Sequence, residues 1–316
     1  MKIKHFLLFI FFLLFITPLL QAKPLTFYIQ PQLEFAFTKN DEYILSPSGK
    51  RLVSYLEWGA EPLFLTGLEM GVSLKGFSLW FYGDMALPLS CGKMYDSDWN
   101  YSGTKTTYSI HQNNAILNYQ LSSGFSYSFS TDSFKFGPGL SFLYNYDSFH
   151  AQNGYGWYGG EDYSKNGLDN SWDSEFARKA KKLYPIDLKR TNLYYFLDLA
   201  VAFYPRNSLN LGLVFSLAIY NRTFTYDYHY GQPGTLNDFS MKEIQECFFR
   251  RFKTALNLNW QFHQNFCLAI NVNWLYGDLI KGLLYDDDEL VSQQSGNAIN
   301  SLHIKTGICW TFSKKS

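Results

Sequence analysis

Few folds accommodate apolar side chains that alternate with polar or small ones for more than ten residues at a stretch, yet this chain does so repeatedly. From Thr191 to Tyr204, one face carries Leu193, Tyr195, Leu197, Leu199, Val201 and Phe203. The opposite face carries Asn192, Tyr194, Asp198, Ala200 and Ala202. Phe252 to Phe262 sets Phe252, Leu256, Leu258, Trp260 and Phe262 against Lys253, Asn257, Asn259 and Gln261. Phe266 to Asp278 repeats the pattern, with Leu268, Ile270, Val272, Trp274 and Tyr276 opposed to Ala269, Asn271 and Asn273. A period of two is that of an extended strand. Most soluble strands are shorter than these runs, whereas a tilted membrane strand needs about 9–11 residues.

The connections between runs alternate in length. Tight polar turns stand at Lys75-Gly76, Thr131-Asp132-Ser133, Pro205-Arg206-Asn207 and His263-Gln264-Asn265. Between them lie longer polar segments near 38–52, 89–112, 148–189, 223–247 and 279–298. Four short turns alternating with five long loops predict ten antiparallel strands, with both termini on the short-turn side. Approximate bounds are 25–37, 53–72, 77–88, 113–129, 134–147, 190–204, 208–222, 248–262, 266–278 and 299–312. Strands cross lipid only as a closed barrel, because every backbone N–H and C=O must find a partner inside the protein. The expectation is an all-β chain: a ten-stranded antiparallel transmembrane β-barrel with long extracellular loops and short periplasmic turns. A secreted β-sandwich fits less well, since it would leave these rows of Leu, Val, Trp and Tyr facing water.

The address agrees. Lys2 and Lys4 precede an apolar run from Phe6 to Ile16, and Leu20-Gln21-Ala22 offers a cleavage site, so 1–22 reads as a signal peptide and 23–316 as one barrel domain. Aromatic residues make up 19% of the chain against 17% charged, a balance suited to membrane interfaces. The formal net charge is zero, which gives a nucleic-acid partner no electrostatic support. Cys91, Cys247, Cys267 and Cys309 have no metal-ligand spacing; four cysteines pair in three ways and sequence does not choose. Cys267 and Cys309 fall in strand-like runs and read as small buried or lipid-facing thiols. No metal or cofactor is implied.

Two short motifs carry the chemistry. Asp227-Tyr-His229 places a carboxylate and an imidazole on one side of an extended segment. Alone, such a triplet is most often two solvated loop residues. Tyr95-Asp96-Ser97-Asp98-Trp99 holds a second same-face acidic pair, which by itself would suggest a cation site or a solvated loop. The ten-strand plan puts the pair in the second long loop and the dyad in the fourth, both at the outer end of a narrow barrel.

These residues resemble the omptins, outer-membrane endopeptidases of Gram-negative bacteria. The resemblance runs over Val53-Ser-Tyr-Leu-Glu-Trp58, Gly92-Lys-Met-Tyr-Asp96-Ser-Asp98-Trp99, Asp227-Tyr-His229, Gly282-Leu-Leu-Tyr285 with Asp286, and Lys305-Thr-Gly-Ile-Cys-Trp-Thr-Phe312. It implies peptide hydrolysis by an activated water, with His229 as general base, Asp227 supporting its ring, and Asp96 and Asp98 facing them. It also implies acidic residues that receive a basic substrate side chain, matched by Glu42 (with Asp41 the alternative). The second position of that receptor, two residues before the dyad Asp, is Thr225 here. Omptins bind lipopolysaccharide, on which their activity depends, through a basic cluster on the outer wall. Leu143-Tyr-Asn-Tyr-Asp-Ser148 lacks the expected Arg, with Arg190 matching another member, so lipopolysaccharide as an activator is in doubt. The basic run Ala177-Arg-Lys-Ala-Lys-Lys182 reads as a solvated loop or a headgroup contact, and as a site of self-cleavage on the sharper reading.

The expected function is therefore an endopeptidase of the bacterial outer membrane, its active site facing outward, acting on peptides or host proteins near basic residues. Its other partner is membrane lipid. The alternative from a different class is a non-catalytic barrel serving as adhesin or surface scaffold. A porin is a third reading, disfavoured because ten strands leave little lumen and inward Arg251, Lys253, Asn257, Asn259 and Asp198 would fill it.

Overall fold

The computed structural model describes residues 25–131, 133–159, 171–174, 177–206, 208–231 and 238–313; the signal peptide expected at 1–22 lies outside them. The strands are β1 (Thr26–Leu45), β2 (Leu52–Leu74), β3 (Phe77–Ala86), β4 (Ser90–Trp99), β5 (Lys105–Ala115), β6 (Tyr119–Tyr127) and β7 (Phe129–Ser130). They continue with β8 (Phe134–Tyr158), β9 (Arg178–Leu183), β10 (Ile186–Arg206), β11 (Leu209–His229), β12 (Phe239–Cys247), β13 (Arg251–His263), β14 (Phe266–Asp286) and β15 (Glu289–Ser313). Several share a wall. β2 pairs with both β3 and β4, β8 with both β5 and β6, and β14 with both β12 and β13. Counted by walls, ten antiparallel strands run around the ring, which closes where β15 pairs with β1 from Thr26–Ser313 to Leu45–Gln294. The barrel is a ten-stranded transmembrane type, as the alternation predicts.

Side chains divide by parity. On β10, Leu197, Leu199, Val201 and Phe203 point outward at 40–49% exposure, while Asn192, Tyr194 and Phe196 are buried inside. Leu211, Leu213 and Phe215 on β11, and Phe35 and Phe37 on β1, extend the same apolar belt. Such a continuous row is costly in water and fits hydrocarbon.

The lumen at belt height is filled with paired polar groups. Glu34 accepts a 2.6 Å hydrogen bond from Tyr82, pairs with Lys305 at 3.1 Å and contacts His303. Higher up, Arg251 donates to the Gly277 carbonyl and to Asn297 Oδ1. A remaining cavity of about 30 Å³ beside Thr38, Asn118 and Tyr194 has room for about one or two waters. Cys267 and Cys309 sit opposite one another on β14 and β15, and all four cysteines are free thiols.

The long loops are shorter than expected, because the strands continue far beyond the belt. β1 has 20 residues and β15 has 25. At roughly 3.3 Å per residue, 20 residues reach some 65 Å, against about 30 Å of hydrocarbon. Residues 46–51 and 287–288 are all that separate β1 from β2 and β14 from β15. Asp96 and Asp98 thus lie on β4, and Asp227 and His229 at the C-terminal end of β11, rather than in loops. The basic run is likewise a strand: 178–183 forms β9, paired with the upper part of β8.

Candidate active site

The site is built on strand ends that stand above the belt. On β11, alternation aims Thr223, Thr225 and Asp227 inward, all at most 3% exposed. His229 follows on the same face, and its Nε2 donates to Asp227 Oδ2 at 2.7 Å. Phe239, the cross-strand neighbour of His229 on β12, stacks on the imidazole with centroids 4.3 Å apart and planes at 14°. The stacking fixes the ring, and the Nε2 bond leaves Nδ1 as the nitrogen that faces away from Asp227.

The acidic pair owes its direction to an irregularity. Cys91 and Met94 are both buried, an odd spacing that simple alternation forbids. The register slips between Ser90 and Gly92, absorbing one residue and turning Met94, Asp96 and Asp98 inward together. Gly92 has φ +138, and a Cβ there would lie 2.8 Å from the Gly59 carbonyl oxygen, so only glycine fits. Asp98 Oδ2 accepts a 2.6 Å hydrogen bond from Thr107 on β5. Asp96 lies opposite Ser109 of β5 and Leu56 of β2.

Around the ring, the β4 wall and β11 are separated by four steps in one direction and six in the other, so they face each other. Asp96 lies within electrostatic range of the dyad. Burial pushes its carboxyl up to about 8, helped by the Asp98 charge and, across the cleft, by Asp227, with His229 opposing. Burial works against charge on His229, but the Asp227 carboxylate and its hydrogen bond overcome this, and Asp96 and Glu42 add to them; the imidazole rises to about 9. Among the described residues, no hydrogen bond joins the acidic pair to the dyad. The four groups expected from the sequence therefore share one cleft and interact through space.

His111 and Ser109 join this cleft, and the sequence reading passed over both. Ser109 Oγ and His111 Nε2 are 3.1 Å apart, on the same inward face of β5 as Thr107. Burial and the nearby His229 charge lower His111 to about 4, so it stays neutral. Its signal was the same as that of the dyad: Ser109-Ile-His111 is another same-face triplet.

The expected receptor for a basic side chain is arranged differently. Of the two candidates, Asp41 points outward, bonded to Tyr55 at 2.9 Å, and Glu42 points inward at 2% exposure. Glu42 accepts from Trp58 Nε1 at 2.9 Å and from Arg190 Nη2 at 2.8 Å. Burial raises Glu42 to about 7, Arg190 opposing and Asp227 adding. Arg190 also donates from Nε to Thr225 Oγ1 at 3.3 Å and is wholly buried. It is thus a lining residue of the cleft and cannot belong to a lipid-binding cluster on the outer wall. A further carboxyl, Glu243 of β12, lies directly across from Thr225. Burial, with the Glu42 charge behind it, lifts Glu243 well above the usual carboxylate range.

The sequence matches no protein-family model and no curated protein. In structure, the chain is similar to the outer membrane protease OmpT from Escherichia coli, at TM-score 0.76 and 17% identity, over 91% of this chain and 97% of that one. Weaker likenesses are to OprG from Pseudomonas aeruginosa (TM-score 0.37, 9% identity, 91% and 95% covered) and to Ail of Yersinia pestis (0.29, 12%, 92% and 100%). At 17% identity the likeness to OmpT shows the fold alone, an outer-membrane β-barrel.

Proposed function

We propose that the chain is an outer-membrane endopeptidase whose cleft opens to the cell exterior and cuts peptides or host proteins there. The observation that carries this reading is the part-buried Asp227–His229 bond, with the raised carboxyl of Asp96 within electrostatic range of it. His229, once neutral, takes a proton from a water held between the two walls, and that water's oxygen attacks the peptide carbonyl. Asp227 stabilises the imidazolium that forms. Asp96, kept protonated by burial and by Asp98, donates a hydrogen bond to the developing oxyanion in this reading. His229 then returns its proton to the leaving amine, and the bond breaks. Asp98, tied to Thr107, helps to seat the water.

No metal or cofactor enters this scheme, and lipopolysaccharide is at most an activator from the surrounding membrane. The test is cleavage of a quenched peptide library by refolded mature protein, with and without lipopolysaccharide, beside the His229→Ala variant. Cleavage that falls by about 10²–10⁴-fold in the variant supports the peptidase. Identical traces in both lipid conditions leave the adhesin or scaffold.

A further inference from the structure

The floor below the dyad carries a feature that bears on substrate choice. Thr225 lies two residues below Asp227 on the same face, about 6–7 Å deeper into the barrel. Its cross-strand neighbours in that row are Arg190 on β10 and Glu243 on β12. Glu42 reaches the row from the far wall and bonds the guanidinium of Arg190. Its charge contributes to the rise of His229, so this row lies within electrostatic range of the dyad.

Each carboxyl in the row is already committed. Glu42 is held by Trp58 and Arg190. Glu243 accepts from Gln245 Nε2 at 2.8 Å, and burial with the Glu42 charge behind it raises its carboxyl. The row therefore holds one cation and two carboxyls, one bonded to that cation and the other to Gln245. A lysine or arginine side chain entering beside it would find each carboxyl already bonded within the chain and would approach the like charge of Arg190.

We infer that Arg190 is a specificity-determining residue that occupies, from within the chain, the acidic floor under the dyad, so that the substrate side chain directed there is uncharged. The inference rests on the peptidase reading. It departs from the preference for basic residues that the sequence resemblance implies, and it names the class of substrate as peptides with an uncharged residue beside the cut bond.

The experiment profiles a quenched library with wild type, His229→Ala as the blank, and Arg190→Ser. Wild type is expected to cut bonds flanked by uncharged residues and to cut the same peptides bearing Arg or Lys at least about tenfold less efficiently. Arg190→Ser, which frees Glu42, is expected to gain at least about tenfold in kcat/KM on the basic peptides. If wild type itself prefers Arg or Lys in a His229-dependent manner, the inference fails while the peptidase stands. A folded Arg190→Ser that still refuses basic peptides overturns the role given to Arg190. Absence of any His229-dependent cleavage removes both readings. Should Arg190→Ser not refold, wild type alone decides through benzamidine, a guanidinium mimic: unchanged cleavage at millimolar concentration supports the inference and inhibition overturns it.

Discussion

Arg190 and Glu42 stand on opposite walls of the barrel, five strands apart in either direction, and meet across the lumen at 2.8 Å. Neither side chain is more than 2% exposed. A buried pair of this kind costs desolvation to form, and its loss costs more when one charge is left alone. Glu42→Ala is expected to destabilise the barrel by about 3–5 kcal/mol, because Arg190 then remains charged and unpaired. Replacing both, as Glu42→Gln with Arg190→Met, should recover most of that loss. Denaturant unfolding in lipid vesicles measures both. Equal stability of the single and double variants would show that the unpaired Arg190 charge is not what costs the single variant, and a single variant as stable as wild type would show that the cross-brace contributes nothing.

In the proposed reaction, the Asp227–His229 bond sets the pH dependence. A base must be unprotonated to act, and His229 lies near 9 rather than near its ordinary value. Activity should therefore climb above pH 7, peak between about 8 and 9, and fall beyond as Asp96 loses the proton it donates. Asp227→Asn removes the leading upward influence and leaves burial, which lowers the imidazole. Its ascending limb should move to lower pH while its maximum rate drops by about 10²–10⁴-fold. Because the groups interact, the limbs belong to the cluster rather than to one residue. A pH–rate profile that rises below pH 6 in wild type would contradict this assignment.

Asp96 carries the opposite sign for stability. Its carboxyl is raised, so the folded state holds a proton that the unfolded chain releases near pH 4. The resulting penalty is absent below pH 4, grows as pH rises, and is complete once pH passes about 8. Asp96→Asn removes it. The variant should be more stable than wild type by about 0.5–2 kcal/mol at pH 8 and no different at pH 4. It should also lose activity, since Asn supplies a donor of fixed and weaker acidity. Parallel unfolding curves at the two pH values check the sign.

The membrane-spanning part of this fold was open to inspection in the sequence because lipid imposes a strict contrast. Leu197, Leu199, Val201 and Phe203 face hydrocarbon, and their neighbours face a polar lumen, so every second residue announces its side. Above the belt both faces meet water. In Ser90–Trp99 or Ile186–Arg190 polar residues occur on either side, the contrast disappears, and strand reads as loop. The two motifs stayed legible through that loss, because Asp-x-His and Asp-x-Asp keep their spacing in loop and strand alike. Glu243 and Arg190 did not survive it. Their place in the cleft depends on cross-strand register with Thr225, which no single stretch of sequence contains.

The same register bears on the porin reading. At belt height Glu34, Tyr82, His303 and Lys305 close the lumen with bonded polar side chains. Lys305 also lies 3.7 Å from the centre of the Tyr82 ring. Opening a path for ions would break several of these contacts at once and leave buried charges unpaired, so thermal opening should be rare. Wild-type protein in a planar bilayer is expected to show no resolvable current steps. Lys305→Ala with Glu34→Ala, which deletes the centre of the plug, is expected to produce discrete steps without moving the outer cleft. Conductance by wild type, or a double variant as tight as wild type, would show that the plug is not what seals the barrel.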